Sequence, residues 1–215
     1  MLFRSQQRDY SPSEMLRTPQ FYFLWLAYCL GTTAGLMTIS QLVPFARLAG
    51  LTAAAATFAI TVGAVGNAGG RILSGWLSDA WGRLTTLRVM VLGSAVAMPA
   101  LFVWREQVLL LYLLVAVVYW CYGTQLSVFA STTADLYGTR NLGMNYGLLF
   151  TAWGTAGIIG PIIAARVFDA FGDYRYAFYA ASVLAVVAFA SLILAGTKRS
   201  TVRGVTAQAA GAARQ

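Results

Sequence analysis

Arg71 lies inside an apolar run from Leu51 to Leu77, and Asp79, Gly82 and Arg83 follow it. A charged side chain at mid-membrane depth costs roughly 2.5–3.5 kcal/mol on insertion scales. Such a residue ordinarily faces a bundle interior or a water-filled cavity, which makes it a candidate functional group. Its planar guanidinium suits bidentate recognition of a carboxylate. On a helix, residues three or four apart share a face, so Asn67, Arg71, Ser74 and Ser78 make one polar stripe. Two other readings of Arg71 stand beside this one: a salt bridge with Asp79, or a side chain that snorkels to the interface.

Aromatic residues at helical spacing accompany the stripe. A later apolar run holds Tyr112, Tyr119, Tyr122 and Gln125, and the next holds Tyr146, Phe150 and Trp153. Walls of this kind around one arginine suit a small organic anion. Ordinary helix packing accounts for the same spacing. No carboxylate lies deep in any apolar run: Asp79 and Asp135 fall at run ends, Glu106 and Asp173 in turns. Intramembrane proton relays usually use a buried acid or histidine, so anion exchange is favoured over proton coupling.

These groups need elements to hold them. The chain has 215 residues, is 59% hydrophobic and only 10% charged, and its mean hydropathy is +0.66. Soluble domains carry about 25% charged residues, so a wet globular surface is excluded. The net charge of +8 comes from dispersed basic residues rather than one polar face, which argues against nucleic acid. Histidine is absent, removing histidine-based catalysis and the common zinc sets. Cys29 and Cys121 each sit in an apolar run and read as inert small hydrophobes. No metal or cofactor is expected. An intramembrane enzyme would need paired acids, a nucleophile with its base, or metal ligands at depth, and none is present.

A membrane-spanning helix needs about 20 apolar residues. The stretches 21–46, 52–77, 85–104, 108–131, 143–168 and 176–195 qualify. The fold class is therefore all-α, a polytopic membrane protein with six transmembrane helices. Residues 1–20 read as a linker, 21–196 as the transmembrane domain, and 197–215 as a disordered tail. One side of the expected topology carries Arg4, Arg8, Arg17, Arg83, Arg88, Arg140, Lys198, Arg199 and Arg203. The other carries Arg47, Arg105, Arg166 and Arg175. The positive-inside rule makes the first side cytoplasmic, with both termini there.

Two short sequences echo each other. Asp79-Ala80-Trp81-Gly82-Arg83 ends the second run, and Asp135-Leu136-Tyr137-Gly138-Thr139-Arg140 ends the fourth. An acidic residue at a helix C-terminus opposes the macrodipole, so each Asp is expected to have a partner, a nearby Arg or the N-terminus of a neighbouring helix. Glycines crowd the second and fifth runs, at 63, 66, 69, 70 and 75 and at 147, 154, 157 and 160, consistent with close packing or a hinge.

Gly75-x-x-x-Asp79-x-x-Gly82-Arg83 resembles the loop signature of the major facilitator superfamily. The stretch Asn67 to Arg83, the opening Met15 to Tyr22, and Tyr146 to Gly154 with Gly160-Pro161 are similar to the oxalate/formate antiporter family. The resemblance implies twelve helices in two six-helix halves, with this chain as the second half. The chain is then a fragment, a truncated product or one piece of a split transporter. It implies a bacterial inner-membrane exchanger of small carboxylates such as formate or oxalate, working by alternating access. A complementary six-helix half on another chain, the substrate anion and the lipid bilayer are the implied partners. Arg71, Asn67, Ser74, Tyr119, Tyr122, Gln125 and Trp153 are the candidate substrate-binding residues. Gly75, Asp79, Gly82, Arg83, Asp135, Gly138 and Arg140 form the candidate conformational loop motif. Members that carry dicarboxylates have a lysine in the corresponding part of the eleventh helix, whereas the fifth run here has none. That departure points to a smaller or monovalent carboxylate, or to another substrate. The competing reading is a non-transporting membrane partner or a degenerate remnant.

Overall fold

The computed structural model describes residues 8–212, with side chains through Thr197. Eight helices follow in chain order: α1 Pro12–Leu16, α2 Pro19–Ser40, α3 Leu42–Leu48, α4 Ala53–Trp81, α5 Arg83–Val103, α6 Val108–Tyr137, α7 Leu142–Phe171 and α8 Arg175–Ala212. Six are long and apolar enough to cross a membrane: Pro19–Ser40, Ala53–Trp81, Arg83–Val103, Val108–Tyr137, Leu142–Phe171 and Arg175–Thr197. Lipid offers no hydrogen-bond partners, so helices that satisfy their own backbone are the form this composition allows.

The first span is shorter than the sequence suggests. It stops at Ser40, and α3 starts at Leu42. Pro44 supplies the reason: it has no N–H to give the Ser40 carbonyl, and its ring would collide with that carbonyl in a continuous helix. The other spans run past their apolar cores. α4 has 29 residues and α6 and α7 have 30 each, so each is roughly 43–45 Å long. That length covers hydrocarbon plus headgroups, which places the polar helix ends in the interface.

Helix starts and stops follow local chemistry. Ser11 caps α1 in a capping box with Glu14, ahead of Pro12 at the first turn. The stretch read as a linker thus contains α1, and Met15 is fully buried. Gly82 ends α4 and starts α5 with φ +88°, a conformation glycine adopts without a side-chain penalty. Residues 198–212, expected to be irregular, continue α8 as helical backbone, consistent with their alanine content and lack of proline.

The hydrogen bonds around Glu14 hold its carboxyl below the ordinary value of 4.5. The Ser11 backbone N–H contributes most, then the Ser11 hydroxyl and the Arg8 guanidinium. A depressed carboxyl adds stability above its unfolded pKa and loses it as pH falls through the folded value. Exchange of the Ser11 amide hydrogen, corrected for intrinsic rate, should therefore accelerate selectively below about pH 4.5. Glu14→Gln should produce that acceleration already at neutral pH.

Packing is built on two central helices. α2 contacts α6, α7 and α8, and α6 contacts α4 and α5, with α5 closing onto α8. Tyr28 of α2 stacks on Phe129 of α6 at 4.1 Å between centroids. Buried threonines bond back to carbonyls one turn earlier: Thr32 to Tyr28, Thr33 to Cys29, Thr132 to Val128 and Thr133 to Phe129. The span of α2 is 61% buried, but those of α4 and α7 are only 28% buried each. Two of the spans, α4 and α7, therefore present largely uncovered faces.

Candidate functional site

Glycines fix how α4 sits on α6. Gly63 abuts the Tyr119 ring, Gly66 the Ala116 carbonyl and Gly70 the Trp120 carbonyl. A β-carbon at Gly66 or Gly70 would collide with backbone, so only glycine permits this approach. Gly123 of α6 meets the Asn67 carbonyl in the reciprocal way. The glycine face turned to α6 leaves Arg71, the next residue after Gly70, on the exposed side of α4.

Arg71 is held on its own helix. Its Nε–H donates to Asn67 Oδ1 at 2.9 Å. The two terminal nitrogens are left for another acceptor, and Arg71 makes no ion pair among the described residues. It lies about 15 Å along α4 from the Trp81 end, too deep to reach the interface easily. The guanidinium is within electrostatic reach of the phenols of Tyr28 on α2, Tyr122 on α6 and Tyr146 on α7.

The aromatic groups are locked together. Trp153 Nε1–H donates to the Tyr122 hydroxyl at 2.8 Å, and Trp153 stacks on Phe150 at 5.0 Å. The Tyr28 and Tyr146 hydroxyls approach to 3.4 Å, and Tyr146 donates to the Leu126 carbonyl at 3.3 Å. Fixed aromatic groups with spare hydroxyl valence can line an anion site and exclude water from one side of it.

A second cluster occupies one end of the bundle. Arg83 Nη2 reaches Asp79 at 2.6 Å, and its Nε donates to Asp135 at 3.1 Å. Its Nη1 also donates to Ser78 Oγ. These groups border a cavity of about 360 Å³ together with Gly82 and Leu136. Gly138 ends α6 at φ +83°, matching Gly82 at φ +88°. The sequence echo is therefore a conformational echo as well. One arginine serves both acids: Asp135 pairs with Arg83, while Arg140 makes no ion pair among the described residues.

Comparison with known proteins decides the family. The Major Facilitator Superfamily model matches residues 24–213. The chain belongs to the Major Facilitator Superfamily. That is a family of membrane transporters rather than enzymes, and the chain has the all-helical, six-span architecture of half of a major facilitator fold. An oxalate:formate antiporter of Oxalobacter formigenes is 32% identical over 185 residues, covering 85% of this chain and 44% of the antiporter. An uncharacterised MFS-type transporter of Escherichia coli (strain K12), YhjX, is 31% identical over 153 residues, covering 71% of this chain and 38% of that protein. Monocarboxylate transporter 14 of Mus musculus is 32% identical over 68 residues, 32% of this chain and 13% of the transporter. The chain thus spans less than half the length of these relatives.

Within this major facilitator half, the expected site residues fall into groups. Two pairs form, Arg71 with Asn67 and Trp153 with Tyr122. Ser74 does not join them: it is fully buried and bonded to Thr124 at 2.6 Å. Ser78 is turned to the Arg83 cluster, so the proposed stripe on α4 divides between two faces. Tyr119 packs its ring on Gly63. Gln125 is buried against Gly31 of α2, and its Oε1 has no partner. Tyr112 belongs to the opposite end of α4, donating to the Ala55 carbonyl at 2.9 Å. The alternative pairing of Arg71 with Asp79 is not formed, because Asp79 is held by Arg83. Sequence reasoning missed Tyr28, whose only signal was a phenol inside the first apolar run.

Proposed function

We propose that this chain is the second half of a secondary transporter for small carboxylates such as formate or oxalate. It works by alternating access with a complementary six-helix half, as an exchanger. The observation that carries the reading is the Arg71 guanidinium, held by Asn67 on the exposed side of α4 with no ion pair among the described residues. An arginine at this depth on a lipid-exposed face would cost several kcal/mol. A hydrated cavity shared with a second half removes that cost, and an anionic substrate neutralises the charge. The scant burial of α4 and α7 supports the same surface for the second half.

The chemistry is recognition and release, with no covalent step. Asn67 occupies Nε, so a carboxylate binds end-on to the two terminal nitrogens. Tyr122 accepts from Trp153, which leaves its own hydroxyl hydrogen free to donate to the anion. α7 supplies no lysine, which leaves Arg71 as the one cation assigned to the binding site in this half and favours a monocarboxylate. The named activity of the Oxalobacter relative, an oxalate:formate antiporter, supports exchange of small carboxylates. At the end of the bundle, the Arg83 cluster fixes the α4–α5 turn where the second half docks.

In the orientation we propose from the positive-inside rule, both termini and the Arg83 cluster face the cytoplasm across a bacterial inner membrane. Reporter fusions after Ala49, Arg105 and Asp173 should therefore report an external location. Fusions at either terminus should report a cytoplasmic one, and an external terminus would sink this orientation. Binding itself is tested with the paired halves in proteoliposomes, by saturable exchange of labelled formate or oxalate. Absence of exchange in that preparation counts against the transport reading and favours a non-transporting partner.

A further inference from the structure

The segment before α2 is strapped across the turn between α6 and α7. The Tyr10 N–H donates to the Tyr137 carbonyl at 2.9 Å. The Tyr10 carbonyl accepts from Asn141 Nδ2 at 3.0 Å and Asn145 Nδ2 at 3.1 Å. Asp9 Oδ1 accepts the backbone N–H groups of Thr139 at 3.0 Å and Arg140 at 3.2 Å. The Tyr10 ring meets the Tyr137 ring edge-on at 5.5 Å. Thr18, at the start of α2, shares a hydrogen bond with the Tyr137 hydroxyl at 3.2 Å.

Two details show that this contact is specific. Gly138 has φ +83°, and a β-carbon there would collide with Asp9. Glycine therefore serves both the turn and the approach of the strap. Asn145 is fully buried on α7, its amide N–H is given to the strap, and its Oδ1 has no partner. Burying an amide with one valence unsatisfied costs free energy, which a purely apolar contact would avoid. Asn145 is also next to Tyr146 of the aromatic wall, and α7 makes few contacts with α6.

We propose that residues 9–18 position the inner end of α7, and that Asp9 and Asn145 are positioning residues for the exchange of openings. The strap makes the last turn of α6, the first turn of α7 and the start of α2 move together. Tyr146 and Trp153 ride on α7, so the placement of the anion wall follows the chain that leads into α2. The coupling role rests on the transport reading above; the strap itself does not.

The test uses spin labels at Ser13→Cys and Met144→Cys on the whole chain in lipid nanodiscs, with Cys29 and Cys121 replaced by alanine. The parent should give one narrow distance. Asp9→Ala should broaden it or add a second distance, and Gly138→Ala should do the same from the other side of the contact. With the complementary half present, Asp9→Ala should lower turnover about fivefold or more at unchanged KM. Asp9→Asn keeps an oxygen acceptor and should lie nearer the parent. A narrow distance retained in both variants overturns the strap. A broadened distance with parental turnover overturns the positioning role. No exchange in the parent pair defeats the transport reading and the coupling with it, while the label distances still report on the strap.

Discussion

Arg71→Gln is expected to abolish carboxylate binding by the paired halves while leaving membrane insertion intact. Removing one partner of a desolvated charge pair costs about 2–5 kcal/mol, a loss of roughly thirtyfold to several thousandfold in affinity. Arg71→Lys keeps the charge but loses the planar fork, so partial binding at best is expected. Asn67→Ala should fall between, because it frees Nε and the guanidinium loses its fixed orientation. Expression and thermal stability of Arg71→Gln should match the parent, since Arg71 has no ion pair among the described residues to lose. The same observation says that Asp79→Asn cannot rescue it; Asp79 belongs to Arg83. Unimpaired exchange in Arg71→Gln would rule out the binding role.

The largest expected effect on stability is at the α4–α6 contact. Gly66→Val and Gly70→Leu place carbon against the Ala116 and Trp120 carbonyls. Ordinary overpacking costs about 1–3 kcal/mol, and backbone obstacles that cannot swing aside put these variants at the top of that range or beyond. Thermal unfolding in detergent measures the loss. Gly147→Ala and Gly154→Ala provide the contrast, because nothing lies within 4 Å of a β-carbon at either position. Those two should leave this chain as stable as the parent, yet weaken its pairing if the open face of α7 meets the second half. A loss of stability in the α7 variants, or none in the α4 variants, would contradict the packing described here.

Much of the fold was legible because lipid makes its demands through simple counts of apolar residues. All six spans start within two residues of the apolar limits, and most extend past them at the far end, since helices continue until they reach polar headgroups. Ser40 was misplaced although Pro44 carried the signal: its missing N–H lies four residues on from the carbonyl it strands. The docking of residues 9–18 was hidden because polar, proline-containing sequence reads as linker. Its capping box, Ser11 with Glu14, was the one local clue.

The site was legible in part. Arg71 and Asn67 stood out because charge and amide are costly at depth, and their i, i+4 spacing fixes their contact. Trp153 and Tyr122 met because aromatic residues with polar tips seek partners when buried. Ser74 and Gln125 share helices with these residues but face other neighbours, Thr124 and Gly31. Helical spacing alone does not reveal which side of α4 meets α6; the glycines at 63, 66 and 70 do. The echo of two acidic turns was visible, but not that Arg83 would answer both. Sequence order puts Arg140 near Asp135, whereas three-dimensional packing brings Arg83 there instead.

The most direct test is carboxylate exchange in proteoliposomes holding this chain, the complementary half, or both. The account expects labelled formate or oxalate to exchange only when both halves are present, and Arg71→Gln to return that exchange to the level of empty vesicles. Robust exchange by this chain alone, or undiminished exchange by the paired Arg71→Gln variant, would contradict it.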